Sequence, residues 1–419
     1  MPKIRWLIIG LCFLGNAISY IDRANLAVAN TTIQHELGLT AGAMGLVLGA
    51  FFWTYAVMQL PAGWIIDRIG VRLSLAVAVA WWSVFTMSTA LARGITQFMA
   101  ARLMLGVGEA AALPSFTKVA FNWFPRSERG LACSIFNSGS TAGSALSLPL
   151  VTLLIAAVGW RGAFVATGGL GVVWAIAWWL VYRDPEQYRA IAPAQVDALL
   201  AERAPPPVIA NPIRWVDLFR YRSVWGLMIG LFCLNFAIYF FITWFPNYLQ
   251  AARGFSLTRL GTLGMLPALM AVVGNWLGGI VSDWLMRRGW SATAARKTCL
   301  VTGMVLASSI ALAAFVQSTM LCLTLFTLAY ASLSFTGANT WTVVSEISPT
   351  PGHVASIAGL QNFAGNLAGI LIATFTGVML EITSGSFLIP LSVAGGMCVV
   401  GAASYLFLIG KVEPLPPLD

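Results

Sequence analysis

The chain has 419 residues, of which 58% are hydrophobic and 9% charged, against roughly 45–50% and about 25% in an ordinary soluble protein. A soluble fold cannot hide so much apolar surface. At ~20 apolar residues per membrane crossing plus short connections, the length accommodates about twelve spanning helices and excludes a large soluble domain. The net charge of +9 does not by itself point to nucleic acid, because basic residues in a membrane chain report first on topology.

In chain order, apolar stretches run over 5–29, 41–66, 73–92, 95–120, 130–158 and 161–182. After a polar interval they resume over 223–250, 256–286, 296–316, 319–345, 353–380 and 386–410. The interval contains DPEQYRAIAPAQVDALLAERAPPP, whose prolines and charges mark a linker, and its 194–203 part has the composition of a short surface helix. The expected organisation is an all-α integral membrane protein of about twelve transmembrane helices in two pseudo-symmetric six-helix bundles. The first bundle covers 1–182, the linker 183–222 and the second bundle 223–419.

With the N-terminus in the cytoplasm, Arg93, Arg161, Arg253 and Arg259 fall on the far side, and Arg23 and Arg102 fall inside spans. Every other Lys and Arg then lies on or near the cytoplasmic side. This asymmetry predicts cytoplasmic termini and a cytoplasmic linker. It also accounts for the positive charge through topology, with the lipid bilayer as partner and no nucleic acid. Ala27-Val28-Ala29 resembles a signal-peptide cleavage site, but YIDR interrupts the apolar run before it. Removing that helix would leave an odd number of spans and put the basic loops on the wrong side. The six cysteines are dispersed through apolar stretches without a CxxC pair, which suits packing rather than a metal or a disulfide framework.

An internal repeat supports two halves. Gly63-Trp-Ile-Ile-Asp67-Arg68 follows the second apolar stretch, and Gly279-Ile-Val-Ser-Asp283 follows the eighth. Pro125, Ser134, Asn137, Gly139 and Gly143 at the fifth are echoed by Pro349, Ser356, Asn362, Gly365 and Gly369 at the eleventh. Duplicated halves are typical of carriers that alternate access around a central site. GWIIDRIGVR, from Gly63 to Arg72, resembles the loop signature of the major facilitator superfamily. Within that superfamily, YIDRANLAVA, RLMLGVGEAAALPS, FNSGSTAG and NFAIYFFITWFPNYLQAARGFS resemble the anion:cation symporter family, in order and over essentially the whole chain. The resemblance implies the major facilitator fold, a monomer, a bacterial inner membrane and transport of a small organic anion with protons. The fifth stretch lacks the GxxxGPxxGG pattern of proton-driven drug exporters, and Ser140 stands where some sugar-acid carriers have Gln.

Asp22, Arg23, Arg102 and Glu109 are the charges well inside apolar stretches, and such residues are costly in a bilayer unless they pair or line a wet cavity. One alternative is an ion pair that only holds helices together. Arg can grip a carboxylate through two parallel hydrogen bonds and does not deprotonate, so Arg23 is assigned to a substrate carboxylate. Asp22 points about 100° away from it on a helix and can change charge, as a proton carrier requires. Arg102 and Glu109 share a helix face ~10 Å apart, too far for a tight pair. Arg102 is therefore expected to hold ionised Asp22, with Glu109 taking a proton independently. The resembling family implies the same set of roles.

Tyr20 and Tyr55 offer hydroxyls to an anion, or equally pack as aromatics with a polar tip. In the second half, Tyr239 and Asn362 are preferred substrate contacts among Asn235, Thr243, Trp341, Gln361 and Asn366. Asp67, Arg68 and Asp283 sit at helix ends, where gating fits better than substrate binding, and Asp67 is expected to bridge the halves by meeting the start of the eleventh helix. No GxxxxGK[ST] loop appears, so transport draws on a gradient, and no cofactor is expected. An exporter or exchanger on the same fold is the alternative. A membrane enzyme or receptor fits less well, since the two histidines, His35 and His353, join no metal-ligand cluster or nucleophile motif.

Overall fold

The structure, a computed structural model, describes residues 4–124, 126–188, 215–348 and 354–415. The helix expected at 194–203 lies outside the described residues, as do Pro125, Pro349 and His353. Among the described residues the chain is helical almost throughout, with no strand. It divides into two compact units, Met1–Pro207 and Val208–Asp419. The boundary falls inside the polar interval.

The first unit contains α1 (Ile4–Leu37), α2 (Ala41–Ile69), α3 (Val71–Ser88), α4 (Ile95–Glu109), α5 (Ala112–Trp123) and α6 (Arg126–Val181). The second contains α7 (Arg222–Thr243), α8 (Leu257–Leu263), α9 (Leu266–Arg287), α10 (Ala292–Ala307), α11 (Thr319–Ile347), α12 (Val354–Ile382) and α13 (Leu388–Ala403). Among the described residues, 10 helical stretches are long and apolar enough to cross a membrane. One of them, Leu131–Val181, has 51 residues, roughly 75 Å of helix against a hydrocarbon core of about 30 Å. It must cross twice. Gly159, at φ 73° and ψ 170°, makes the turn, in a region of backbone space that a side chain disfavours. The fourth apolar stretch is also broken, at Ala110 and Ala111 between α4 and α5, where Pro114 can donate no backbone hydrogen bond to the turn before it. The turn at Gly159 and the broken α4–α5 segment account for the expected twelve apolar stretches.

Bilayer solvation explains the outer surfaces. Trp64, Leu91, Leu153, Leu180, Phe315 and Phe407 are all exposed, which a soluble protein would avoid. Inside each unit the helices pair in the same pattern. In the first, α1 packs on α6, α2 on α4 and α3 on α6. In the second, α7 packs on α12, α9 on α11, and α13 on the turn of 3-10 helix Ser308–Ala314 that extends α10.

One glycine contact in each unit shows how closely its helices approach. A Cβ at Gly143 would lie 2.8 Å from Ala17 Cα, closer than any side chain permits, so α6 and α1 touch backbone to backbone. At Gly365 of α12, a Cβ would meet Asn235 Nδ2 at 2.5 Å and Leu231 of α7. One constant step along the chain carries Asn16 onto Asn235 and Tyr20 onto Tyr239. Another carries Gly139, Ser140 and Gly143 onto Gly365, Asn366 and Gly369.

Candidate functional site

The first unit brings four charged residues out of water. Asp22, Arg23, Arg102 and Glu109 are all buried. Their placement begins with α4, which lies close against α2 because position 106 is glycine. A Cβ there would come 3.1 Å from the Tyr55 amide nitrogen and strike the Phe51 carbonyl oxygen and the Thr54 hydroxyl. Thr54 closes the contact by donating to the Leu103 carbonyl at 2.6 Å. Glu109, the last residue of α4, is thereby carried to α1, where Arg23 Nε donates to its Oε2 at 2.6 Å.

Arg23 is also caged. Its guanidinium carbon lies 4.8 Å from the Tyr20 ring centroid and 4.7 Å from those of Phe51 and Tyr55. Tyr20 and Arg23 are three residues apart on α1, and Phe51 and Tyr55 four apart on α2, so each pair shares a helix face. The Phe51 and Tyr55 rings stack, with centroids 5.1 Å apart. Desolvated cation–π contacts of this kind are worth about 2 kcal/mol. Arg102 lies on the same aromatic surface, 5.5 Å from the Phe51 centroid.

Asp22 behaves otherwise than expected. Neither of its oxygens makes a well-formed hydrogen bond, although Trp82 and Thr167 approach them, and Arg102 Nε has no partner. The expected Asp22–Arg102 pair is therefore not made in this structure. The reason is direction: Asp22 turns toward Trp82 of α3 and Thr167 of α6, whereas Arg102 lies against Phe51. Glu109 is likewise not independent, since it carries the counter-charge of Arg23.

In the second unit, Tyr239 donates to Asn366 Oδ1 at 3.1 Å, one helical turn beyond Asn362, which is half-buried. The repeat-related residues of the first unit, Tyr20 and Ser140, are also neighbours. Gln361 is fully buried with both amide atoms unpartnered, while Trp341 is exposed.

The three residues at helix ends are exposed. Asp67 accepts from Lys118 of α5 at 2.5 Å, and Arg68 lies over Trp64. The side chains at the start of the eleventh stretch (α12), expected to meet Asp67, lie outside the described residues. Asp283 lies 3.5 Å from Arg296, which is itself buried and pairs with Glu346 at 2.9 Å. Arg296 and Glu346 were missed in the sequence because they stand at the edges of apolar stretches, where basic and acidic residues read as loop charges. Phe51 was missed because one phenylalanine among 24 carries no mark, although its spacing from Tyr55 was a usable signal.

The Major Facilitator Superfamily sequence profile matches residues 12–373. The D-galactonate transporter of Escherichia coli O6:H1 is 34% identical over 98% of this chain and 96% of its own length. A Bacillus subtilis protein named "Probable galactarate/D-glucarate transporter GudP" is 34% identical over 98% of this chain and 93% of its own. Among solved structures, a D-xylose-proton symporter superposes with a TM-score of 0.76 at 16% identity, covering 97% of this chain and 99% of that one. The low identity of that match speaks for the fold alone. With relatives of this kind matched over nearly their whole length, the protein is a membrane transporter rather than an enzyme, and it belongs to the major facilitator superfamily.

Proposed function

We propose that the protein imports a small organic anion, a sugar acid or related carboxylate, together with protons by alternating access across a bacterial inner membrane. The relatives' named substrates are sugar acids, and the arrangement of basic residues supports cytoplasmic termini. The observation that carries the reading is the caged ion pair of Arg23 with Glu109. A substrate carboxylate offers Arg23 the same chemistry that Glu109 offers it. The two therefore compete for one guanidinium, and a proton on Glu109 releases Arg23 to the substrate. Linkage is reciprocal: if protonation favours anion binding, bound anion favours protonation by the same factor. Anion and proton then travel together. Asp22, buried without an ion-pair partner, is the second proton site, and Arg102 is the nearby positive charge that acts on it.

Tyr20 and Tyr55 would meet the anion beside Arg23, with Tyr239 and Asn362 contributing from the second half. Asp67, Arg68 and Asp283 act as gating charges at helix ends. The test is uptake of labelled D-galactonate, galactarate, glucarate and aromatic carboxylates into proteoliposomes, with and without an inward pH gradient. Accumulation of at least one sugar acid that requires the gradient and collapses with a protonophore is the expected result. Uptake indifferent to the gradient, or driven only by a trapped counter-anion, would replace symport by exchange.

A further inference from the structure

A second group of buried polar residues lies in the first unit on the other side of α1 from the Arg23 cage. It occupies the seam where α1 meets α3 and the part of α6 beyond Gly159. At one level of the seam, a Cβ on Gly171 would strike the Ser83 hydroxyl and come 3.8 Å from Ile18 Cγ2, so the three helices converge there. One helical turn along each brings Asp22 from Ile18, Thr167 from Gly171, and Thr86 from Ser83 to a common level. Trp82 and Thr167 stand beside the Asp22 carboxyl, and Asn25 donates to Thr167 Oγ1 at 2.8 Å.

All six residues are at least 98% buried, yet many of their polar atoms lack a well-formed hydrogen bond. These are Asn25 Oδ1, Ser83 Oγ and Thr86 Oγ1, together with both Asp22 oxygens and Trp82 Nε1, which approach one another without closing a well-formed hydrogen bond. Buried polar groups left unsatisfied at this density are rare, and ordered water is the usual resolution. The donor set decides between water and a cation. Trp82 and the two hydroxyls can donate, Asn25 can accept, and the carboxyl can do either once protonated. Such a mixed set suits water, whereas a cation wants oxygens alone and would meet the indole N–H. The charged groups acting on Asp22 are Arg102 and Glu109 of α4, while α3 and α6 face it with the neutral Trp82 and Thr167.

We propose that this seam holds a small water cluster that relays the proton to and from Asp22, on the face of α1 turned away from the Arg23 cage. Asn25, Ser83, Thr86 and Thr167 are positioning residues for that water. The inference rests on the proton-coupled reading for its purpose, but its test does not depend on transport. The full-length protein is reconstituted in lipid, and the infrared band of a protonated carboxyl is assigned to Asp22 by its loss in Asp22→Asn. Water is then exchanged for D2O, and the band's isotope shift is followed in time. The wild-type band should shift promptly. Ser83→Ala combined with Thr86→Val should slow the shift roughly tenfold, as loss of two hydroxyl partners implies, and Ser83→Thr with Thr86→Ser should restore it. Sugar-acid binding, read as a ligand-induced melting shift, should stay at the wild-type level in both.

Unchanged exchange in the alanine/valine variant would overturn the proposal, as would the lack of a protonated Asp22 band or a band that responds to Na+ or K+. If the variant does not fold, Thr167→Val takes its place with the same expected slowing. Absence of gradient-driven uptake by the wild type, with the band exchanging as described, would sink the symport reading and leave the water site standing.

Discussion

Replacing Arg23 by alanine is expected to abolish sugar-acid binding and uptake. A charge-assisted hydrogen bond to a carboxylate contributes about 1.5–3 kcal/mol, and a gripped carboxylate makes two, so affinity should fall by a factor of 100 or more. Arg23→Lys should fail almost as badly, because an ammonium cannot fork around a carboxylate and lacks the planar, delocalised cation that now sits among the rings of Tyr20, Phe51 and Tyr55. The alanine variant also strands Glu109 without its counter-charge. Breaking a buried pair on one side costs about 3–5 kcal/mol, so its melting temperature should drop. Arg23→Ala with Glu109→Gln separates the two effects: stability should return while binding does not. Binding that survives in this double variant would move the anion site away from Arg23.

The second large effect is expected at Asp22. Asp22→Asn keeps the shape and removes the titrating group, so accumulation against a gradient should vanish while exchange of labelled for unlabelled anion across the membrane continues. Unlike Arg23, Asp22 makes no ion pair in this structure, so the asparagine should leave the melting temperature close to wild type. Glu109→Gln should not, since it removes the carboxylate that balances the buried Arg23 charge. Uptake and counterflow measured side by side decide the matter, and equal loss of both would make Asp22 a structural residue rather than a proton carrier.

The twelve crossings were legible because a bilayer demands long apolar runs, and the buried charges stood out against them. Arg23, Arg102, Asp22 and Glu109 could hardly be missed in stretches whose other charges, Arg5 and Lys118, stand at their ends. Their partners could not be read, because Arg23 and Glu109 are 86 residues apart and meet only through the close approach of α4 to α2 at Gly106. The expected pairing of Arg102 with Asp22 failed for a related reason. Helical spacing fixes directions within one helix, but not which neighbour each direction meets. Helix ends were read less well. The seventh stretch, drawn to 250, has its regular helix end at Thr243 and continues through a single turn at Phe245–Asn247 and a wider π turn at Tyr248–Ala252, where Pro246 withholds a backbone donor. The eighth divides between α8 and α9 just before Pro267, for the same cause.

The internal repeat is geometrically faithful but chemically lopsided. The step that carries Tyr20 onto Tyr239 carries Asp22 onto Phe241 and Arg23 onto Ile242. Among the described residues, the buried acids are Asp22 and Glu109, both in the first copy. On the proposed reading, two carboxyls cap the cycle at two protons, a ceiling that a reversal-potential measurement reads directly. Each proton contributes a factor of ten per pH unit, so one unit of gradient could concentrate the anion about 100-fold. With a singly charged anion, one net positive charge would also enter, and the membrane potential would add roughly 2.3 kcal/mol per 100 mV. A doubly charged sugar acid would cross without moving net charge and forgo that contribution. The same two residues would then make the carrier electrogenic for one class of substrate and electrically silent for another.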